Sequence, residues 1–399
     1  MPLFKHWVNQ VTRTFRSRPS QSKTLAAYKP LAAPAWTPRA YDQLAQDGYQ
    51  KNIIVYRAVN LLARSAASVR WQLYKQQHEI IKHPALELIN KPNSLQARSN
   101  FIESVTAYLL LAGNSYIEAI RHANGHIMEL RPLRPDRVRV IPDAAQVVQA
   151  YTYTNMYNQR TIPAADVLHL RYFHPLNDWY GLSPIEAAAL SIDQHTSVSK
   201  HNLALLQNGG RPSGVMIYRG EHPLNEQDRD YLRHQFRSVY QATHNAGQVM
   251  FLDGDFEWKE IAHSLADMNY LDGKNMSARE IAQAYGIPPM LVGVTGDATF
   301  ANYREARLHL WEDTILPLLD SIILQMNRWL LPSFENGLRF RYAIDSIPAL
   351  VARREGVWER LNQADFLTIN EKRRAVGYPP VSGGDMIPNL KNEIAHDAK

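Results

Sequence analysis

Few residues of this 399-residue chain have types and spacing that could do chemistry. Asp253, Asp255, Glu257 and Glu260 cluster around an Asp-Gly-Asp turn. Acids at that density can hold a divalent cation for metal-dependent cleavage of nucleic acid. The competing reading is ordinary solvated acids on a hairpin loop. Ser197-Val198-Ser199-Lys200 matches the S-x-x-K pattern of penicillin-binding enzymes, yet it falls mid-helix and lacks S-D-N and K-T-G companions. His122 and His126 have the spacing of metal ligands. Asn124-Gly125 between them calls for a turn rather than one helical face, and no HExxH pattern occurs. Cysteine is absent, which excludes disulfides, thiolate zinc sites and thiol nucleophiles. Neither GxxxxGK[ST] nor GxGxxG is present, so the chain lacks the glycine-rich nest and lysine with which an ATP-driven motor cradles phosphates. Nothing in these patterns demands catalysis, and they call for no cofactor and no resident metal.

The charge balance is a mild excess of base, 44 Lys and Arg against 38 Asp and Glu, spread over a long chain. That alone does not mark a nucleic-acid binder. The aromatic-interleaved basic motif of RNA-binding sheets and the basic region of zipper proteins are both missing, which argues against base reading. Lys200, Arg211, Lys274 and Arg279 are scattered basics that could face a duplex backbone, or be solvated or intersubunit charges. Contact of the first kind would be weak and sequence-blind, as suits a sliding substrate, because each neutralised phosphate adds salt-sensitive holding energy. The basic residues from Lys5 to Arg39 precede the first acid, Asp42. Such an arm reads as a transit peptide, a solvated tail or a segment docking on an acidic surface. The uncharged stretch Ser104 to Ile117, closed by Glu103 and Glu118, is shorter than the roughly 20 residues that cross a bilayer, so no membrane span is expected.

The elements that must position these residues follow from periodicity and punctuation. Ile54, Val55, Ala58, Val59, Leu62 and Ala66 recur at helical spacing. Trp71 to Lys75 alternates as a strand, Pro84 to Asn90 reads as a helical turn, and a helix from Ser99 to Ala112 stops at Gly113. Ser115 to Arg121 and His126 to Leu130 flank Asn-Gly as a hairpin, and strands at Arg137 to Ile141, Val148 to Thr154 and Val167 to Arg171 are expected to extend one small antiparallel sheet. The first 180 residues are thus expected to form an α+β domain. Ser183-Pro184 starts a helix expected to run unbroken to Asn208. Residues 211 to 263 then read as strand (Val215 to Arg219), helix (Asn225 to Gln241) and two strands (Gln248 to Leu252, Phe256 to Ile261). A second long helix spans Leu265 to Tyr285. This small α/β insertion therefore sits on two helical struts. Gly286-Ile287-Pro288-Pro289 breaks the chain, Gly293 to Thr299 is a loop, and the longest helix runs from Asn302 to Leu331 with Pro317 expected to kink it. A strand at Leu338 to Tyr342 and helices at Ala349 to Gln363 and Asn370 to Val376 finish the pattern.

The segment Ile281 to Gly293, with its Tyr285-Gly286-Ile287-Pro288-Pro289, followed by Ala301-Asn302-Tyr303 and Thr314-Ile315-Leu316-Pro317, resembles the signature of HK97-type phage portal proteins. Supporting blocks are Val55 to Asn60, Leu111 to Tyr116, Gly181 to Pro184 and Leu367 to Arg373, so the resemblance covers about residues 45 to 390. Compact portals of this kind also occur in gene transfer agents. The resemblance implies an α+β, portal-type ring subunit. Its parts would be a basic arm (1–44), an α/β wing (45–182), a first stem helix (183–210), a small α/β clip (211–263) and a second stem helix (264–287). A tunnel-loop region (288–301), a long kinked wing helix with its strand (302–345) and a short helical crown with its tail (346–399) would follow. It implies a non-enzymatic dodecamer at the capsid vertex of the virion, assembled in the host cytoplasm, through which double-stranded DNA is packaged and ejected. Implied partners are further copies of itself, DNA without sequence preference, the terminase large subunit, the major capsid protein and a head-tail connector, with no membrane. The tunnel loop would be Gly293, Val294, Thr295, Gly296, Asp297, Ala298, Thr299 and Phe300. The partner-facing clip residues would be Glu226, Arg229, Arg233, Arg237, Asp253 and Asp255. Alternatives are another head-tail connector or capsid-assembly ring protein, and a metal-dependent nuclease using the Asp253 to Glu260 acids.

Overall fold

The computed structural model describes residues 41–143, 148–207, 214–219, 225–240, 255–260, 270–294 and 299–387. These belong to one compact unit, Thr37–Lys399. The chain enters through a helical segment α1 (41–50), π-wound over Leu44–Gln50. Asn52 caps α2 (Ile53–Ser68), its carboxamide oxygen accepting from the N–H groups of Ile54 at 3.0 Å and Val55 at 3.3 Å. The face with Val55, Ala58, Val59, Leu62 and Ala66 is buried, as its spacing requires.

β1 (Trp71–Lys75) pairs on one side with β2 (His78–Ile80) and on the other with β11 (Leu338–Tyr342), both antiparallel. The first 180 residues are therefore not a closed unit, because their first strand finds its neighbour near the other end of the chain. β2 carries no sequence signal, since its turn uses Gln76 at φ 55° where glycine or asparagine would have announced it. α3 (Pro84–Asn90) and α4 (Arg98–Ala112) follow. α4 buries Phe101, Ile102, Val105 and Leu109 against β1, β3 and the long C-terminal helix.

The expected single small sheet is two. β3 (Asn114–Arg121) lies between β4 (Ile127–Leu133) and β8 (Val167–Arg171), while β5 (Val138–Pro142), β6 (Val148–Thr154) and β7 (Gln159–Pro163) make a separate antiparallel sheet. β3 is buried on both faces, so its residues do not alternate and give no hint of which strands join it. Ile117 and Ala119 pack toward α4, while Tyr116 packs with Val138, Tyr151 and Ile162 of the second sheet. The sheets are riveted by Glu118 of β3, whose side chain is 3% exposed, paired through both oxygens with Arg160 of β7. The Arg160 guanidinium also lies over the Tyr153 ring at 5.4 Å.

Where α4 ends, Gly113 turns left-handed at φ 68° and passes so close to Gly181 that a Cβ on Gly113 would lie 2.5 Å from the Gly181 carbonyl oxygen. Asn114 locks this crossing: its Oδ1 accepts from the Gly181 N–H at 2.8 Å and meets His169 Nε2 at 3.0 Å. Because Oδ1 accepts from Gly181, His169 must donate, which fixes its Nε2–H tautomer. The imidazole stacks on Tyr116 at 4.3 Å.

The helix expected from Ser183 is interrupted. Ser183 caps α5 (Pro184–Ala187), Ala188 leaves helical geometry at ψ 4°, and α6 (Ala189–Gln207) resumes. The break falls in the run Ala187-Ala188-Ala189, where no side-chain bulk resists bending, and it lets Ile185 enter the core against Gly48. In the insertion, β9 (Gly214–Tyr218) pairs with β10 (Phe256–Glu260), and Asn225 caps α7 (Glu226–Tyr240) through the Asp228 N–H at 2.7 Å. The expected strand at Gln248 to Leu252 lies outside the described residues. α8 (Tyr270–Ala284) leads out. The longest helix is α9 (Phe300–His309), a π-wound stretch Leu310–Ile315, and α10 (Leu316–Trp329). Pro317 sits just after the π stretch, whose wider winding accommodates its missing N–H and its clash with the preceding turn. α11 (Pro348–Asn362) and α12 (Ile369–Ala375) close the described fold, the second with a Thr368–Glu371 capping box.

Burial, with a smaller effect of Arg171, holds the His169 pKa down at about 3, and burial then Lys274 lower that of His195. His169 is neutral in the fold, whereas the unfolded chain takes up its proton near pH 6.5, so stability present above that pH is lost as pH falls toward 3, and His195 shifts stability in the same direction. Each such proton contributes at most about 1.4 kcal/mol per pH unit. Urea melts of the native chain between pH 7 and 4 should show this slope, and His169→Gln should flatten it. A slope unchanged in the variant would contradict the assignment.

Candidate channel-lining site

α6 and α8 run side by side. Ser191 donates to Glu280 at 2.6 Å, and the buried Ser277 hydroxyl, 2.9 Å from its own helix's Gly273 carbonyl, lies 3.4 Å from Gln194 Oε1. At the same seam His195, 5% exposed, meets the Asn52 carboxamide at 3.2 Å. The Ser197 and Lys200 pair is indeed helical, and Ser199 of the same turn spends its hydroxyl on the His195 carbonyl. Lys200 and Arg279 are exposed, and Lys274 is half-buried near enough to His195 to disfavour its protonation. Arg211 lies outside the described residues.

α8 ends in a Schellman arrangement: the Gly286 N–H bonds the Gln283 carbonyl and the Ile287 N–H reaches the Ala282 carbonyl, both at 2.9 Å. Gly286 is left-handed at φ 66°, and its carbonyl accepts from the Thr314 hydroxyl of the π-wound stretch at 2.6 Å. The chain then makes a tight turn over Pro289–Val292 and reaches Gly293 at φ 89°. Of the loop residues singled out from the sequence, Thr295, Gly296, Asp297 and Ala298 lie outside the described residues, as does the Phe300 side chain. Of the remaining three, Gly293 ends the turn and the other two are anchors. Val294 is 7% exposed in the core, and Thr299 Oγ1 caps α9 by accepting from the Asn302 N–H at 3.2 Å. The loop is thus pinned at both ends to the junction of α8 with the long helix.

In the insertion, Glu226 and Asp255 are exposed and Arg229 is half-exposed. Asp253 and the side chains of Arg233, Arg237 and Glu260 lie outside the described residues. The one described pairing among the clustered acids is Glu257 with Arg219 across the β9–β10 ladder, an arrangement that neutralises the carboxylate a metal would need. His122 and His126 close a turn through the His122 N–H and His126 carbonyl at 2.9 Å, and both rings are exposed. Among the described residues no three metal-ligating side chains converge. Sequence reasoning did not single out Asn114, His169 or Thr314 as positioning residues. The one available signal was that Asn114 and Thr314 lie in blocks carrying the family resemblance; His169 lies in none of them.

The chain belongs to the phage portal protein family, whose sequence profile matches residues 53–377. It is 24% identical to the portal protein of Enterobacteria phage HK97 over 343 residues, 83% of this chain and 80% of that one. Among solved structures it is similar to a chain in the neck of an empty gene transfer agent (GTA) particle computed with C6 symmetry, at 36% identity and a TM-score of 0.69 over 89% of this chain and 98% of that chain. A chain in the neck of a native GTA particle computed with C12 symmetry matches at 36% identity and a TM-score of 0.67, over 88% and 96% of the two chains.

Gly286→Ala would place a Cβ in a left-handed residue, 2.9 Å from Thr314 Oγ1. It should cost about 1–2 kcal/mol, and Thr314→Val, which leaves the Gly286 carbonyl without its donor, about 1 kcal/mol. Because both act on one contact, denaturant melts of the double variant should show less than the sum of the two.

Proposed function

We propose that this chain is the subunit of a portal ring at the capsid vertex of a phage-like particle, a channel through which double-stranded DNA is packaged and ejected. The carrying observation is the 36% identity, across 89% of the chain, to a subunit of a particle neck. Twelve copies are the stoichiometry that the C12 neck supports. A ring of this kind needs heterologous interfaces that close at a fixed rotation, and it needs no catalytic pocket. In this reading α6 and α8 are the stem and residues 211–263 are the clip. The clip meets the terminase large subunit during packaging and a head-tail connector afterwards, and the wing around β1 to β8 meets the major capsid protein. α11 and α12 are a short crown.

The loop of residues 293–300 is the tunnel loop, touching DNA without gripping any sequence. Its attachment supports this role: one end is held by the turn at Pro289–Val292, the other by the Thr299 cap, so a load on the tip reaches both the stem helix α8 and the long helix. Lys200, Lys274 and Arg279 lie on the stem helices, and weak phosphate contacts from them would suit a moving duplex.

Native mass spectrometry or negative-stain microscopy of the purified protein should reveal a ring of about a dozen copies with an axial hole; a monomer that never assembles, even with capsid protein present, would contradict the reading. Deleting Val294 or Thr299 would damage the core or the α9 cap, so the loop is better tested by replacing residues 295–298 with Gly-Ser-Gly-Ser. Ring mass should be unchanged while packaged or retained DNA falls. Normal packaging in that variant would remove the loop from the mechanism.

A further inference from the structure

A pocket of about 430 Å³ opens between the start of β1, the chain just after β2, α3 and the N-terminus of α4, and its lining includes Arg70, Trp71, Ile81, Leu86, Arg98 and Ser99. Its charged groups are both cations, beside the neutral side chains of Asn90 and Ser99. Arg70 is exposed and Arg98 half-buried, and among the described residues neither forms an ion pair with a carboxylate, although two guanidinium groups share the site. Burial first, and then Arg70, disfavour the charge on Arg98, as expected where like charges meet without a counter-ion. α4 begins here with Ala97 at its cap position, a residue with no side chain to accept from the first turn, so the leading backbone N–H groups and the positive end of a 15-residue helix are left open. Trp71, 2% exposed, forms part of the wall, and its buried indole N–H has no acceptor among the described residues. Two guanidinium groups that share a pocket without a carboxylate leave an anion to complete the site.

The walls decide which anion. Ile81 is 78% exposed and Leu86 is half-buried. A duplex phosphate brings no apolar group to cover these side chains. An acidic residue flanked by aliphatic ones does, and its planar carboxylate matches the guanidinium fork. We propose that this pocket binds a carboxylate side chain carried on an aliphatic segment of another protein. The proposal is independent of the ring and channel reading.

The probe is the tripeptide N-acetyl-Leu-Asp-Leu-amide, titrated calorimetrically into the full-length protein in its native assembly, with N-acetyl-Leu-Asn-Leu-amide and inorganic phosphate as comparisons. The acidic peptide should bind, its neutral analogue should bind about tenfold or more weakly, and Arg98→Gln and Arg70→Gln should each reproduce that loss. Neither arginine has an acidic partner to lose, so melting temperature and assembly mass should not change. If Arg98→Gln does disturb them, the exposed Arg70→Gln carries the test. Absence of binding, equal binding of the acid and amide peptides, or binding unaffected by both arginine variants would overturn the proposal. Phosphate displacing the peptide at lower concentration would reassign the site to a phosphate and overturn the protein ligand.

Discussion

The hydrogen bond from Thr314 to the Gly286 carbonyl joins the two halves of the architecture at one point. On one side α8 has come to the end of its run along α6, and only a left-handed residue lets it reverse so abruptly. On the other side the long helix loosens into a π-wound stretch just where Pro317 would otherwise force a break. Ile287, Leu291, Val292 and Val294 then enter the same core cluster as α2 and the long helix. Val294 and Thr299, on either side of residues 295–298, are both held by elements that meet at this junction. Tyr285-Gly286-Ile287-Pro288-Pro289 and Thr314-Ile315-Leu316-Pro317 are two blocks of sequence that form the two sides of one contact.

The other blocks that carry the family resemblance have the same character. Asn114 bridges Ala112, Gly181 and His169, and so ties the end of α4 to the entry of α5. Asn370, 2% exposed, holds the C-terminal turn by accepting from the Val381 N–H at 2.7 Å and donating to the Asp385 carboxylate at 2.8 Å, while Gly384 passes too close to it for any Cβ. These are buried amides and glycines that fix backbone crossings. None positions a nucleophile or a general base. Such a distribution suits a part whose work is to hold a shape under load, since a crossing with no alternative partner cannot slip.

The polar chemistry outside these locks is mostly neutralised in place. Glu118 is matched by Arg160, Glu257 by Arg219, Glu103 by Arg64 and Asp166 by Arg121. Against that background the pair Arg70 and Arg98 stands apart, two cations that line one pocket with no ion-paired acid among the described residues. The contrast was invisible in the residue list, where these arginines look like any others.

By itself the sequence determined the class of fold, the order of elements and the family, because amphipathic spacing, caps and breakers are local. The buried face of α2, the stop at Gly113, the Asn-Gly hairpin and the long helix all follow from residues within a turn or two of one another. Only the tertiary structure decided which strands share a sheet, why β1 waits for β11, where the helix at Ala188 breaks, and what Asn114, Thr314 and Arg98 face. Each of these depends on groups distant in sequence whose partner is set by the packing of whole elements. A strand buried on both faces, like β3, shows no alternation from which its neighbours could have been read.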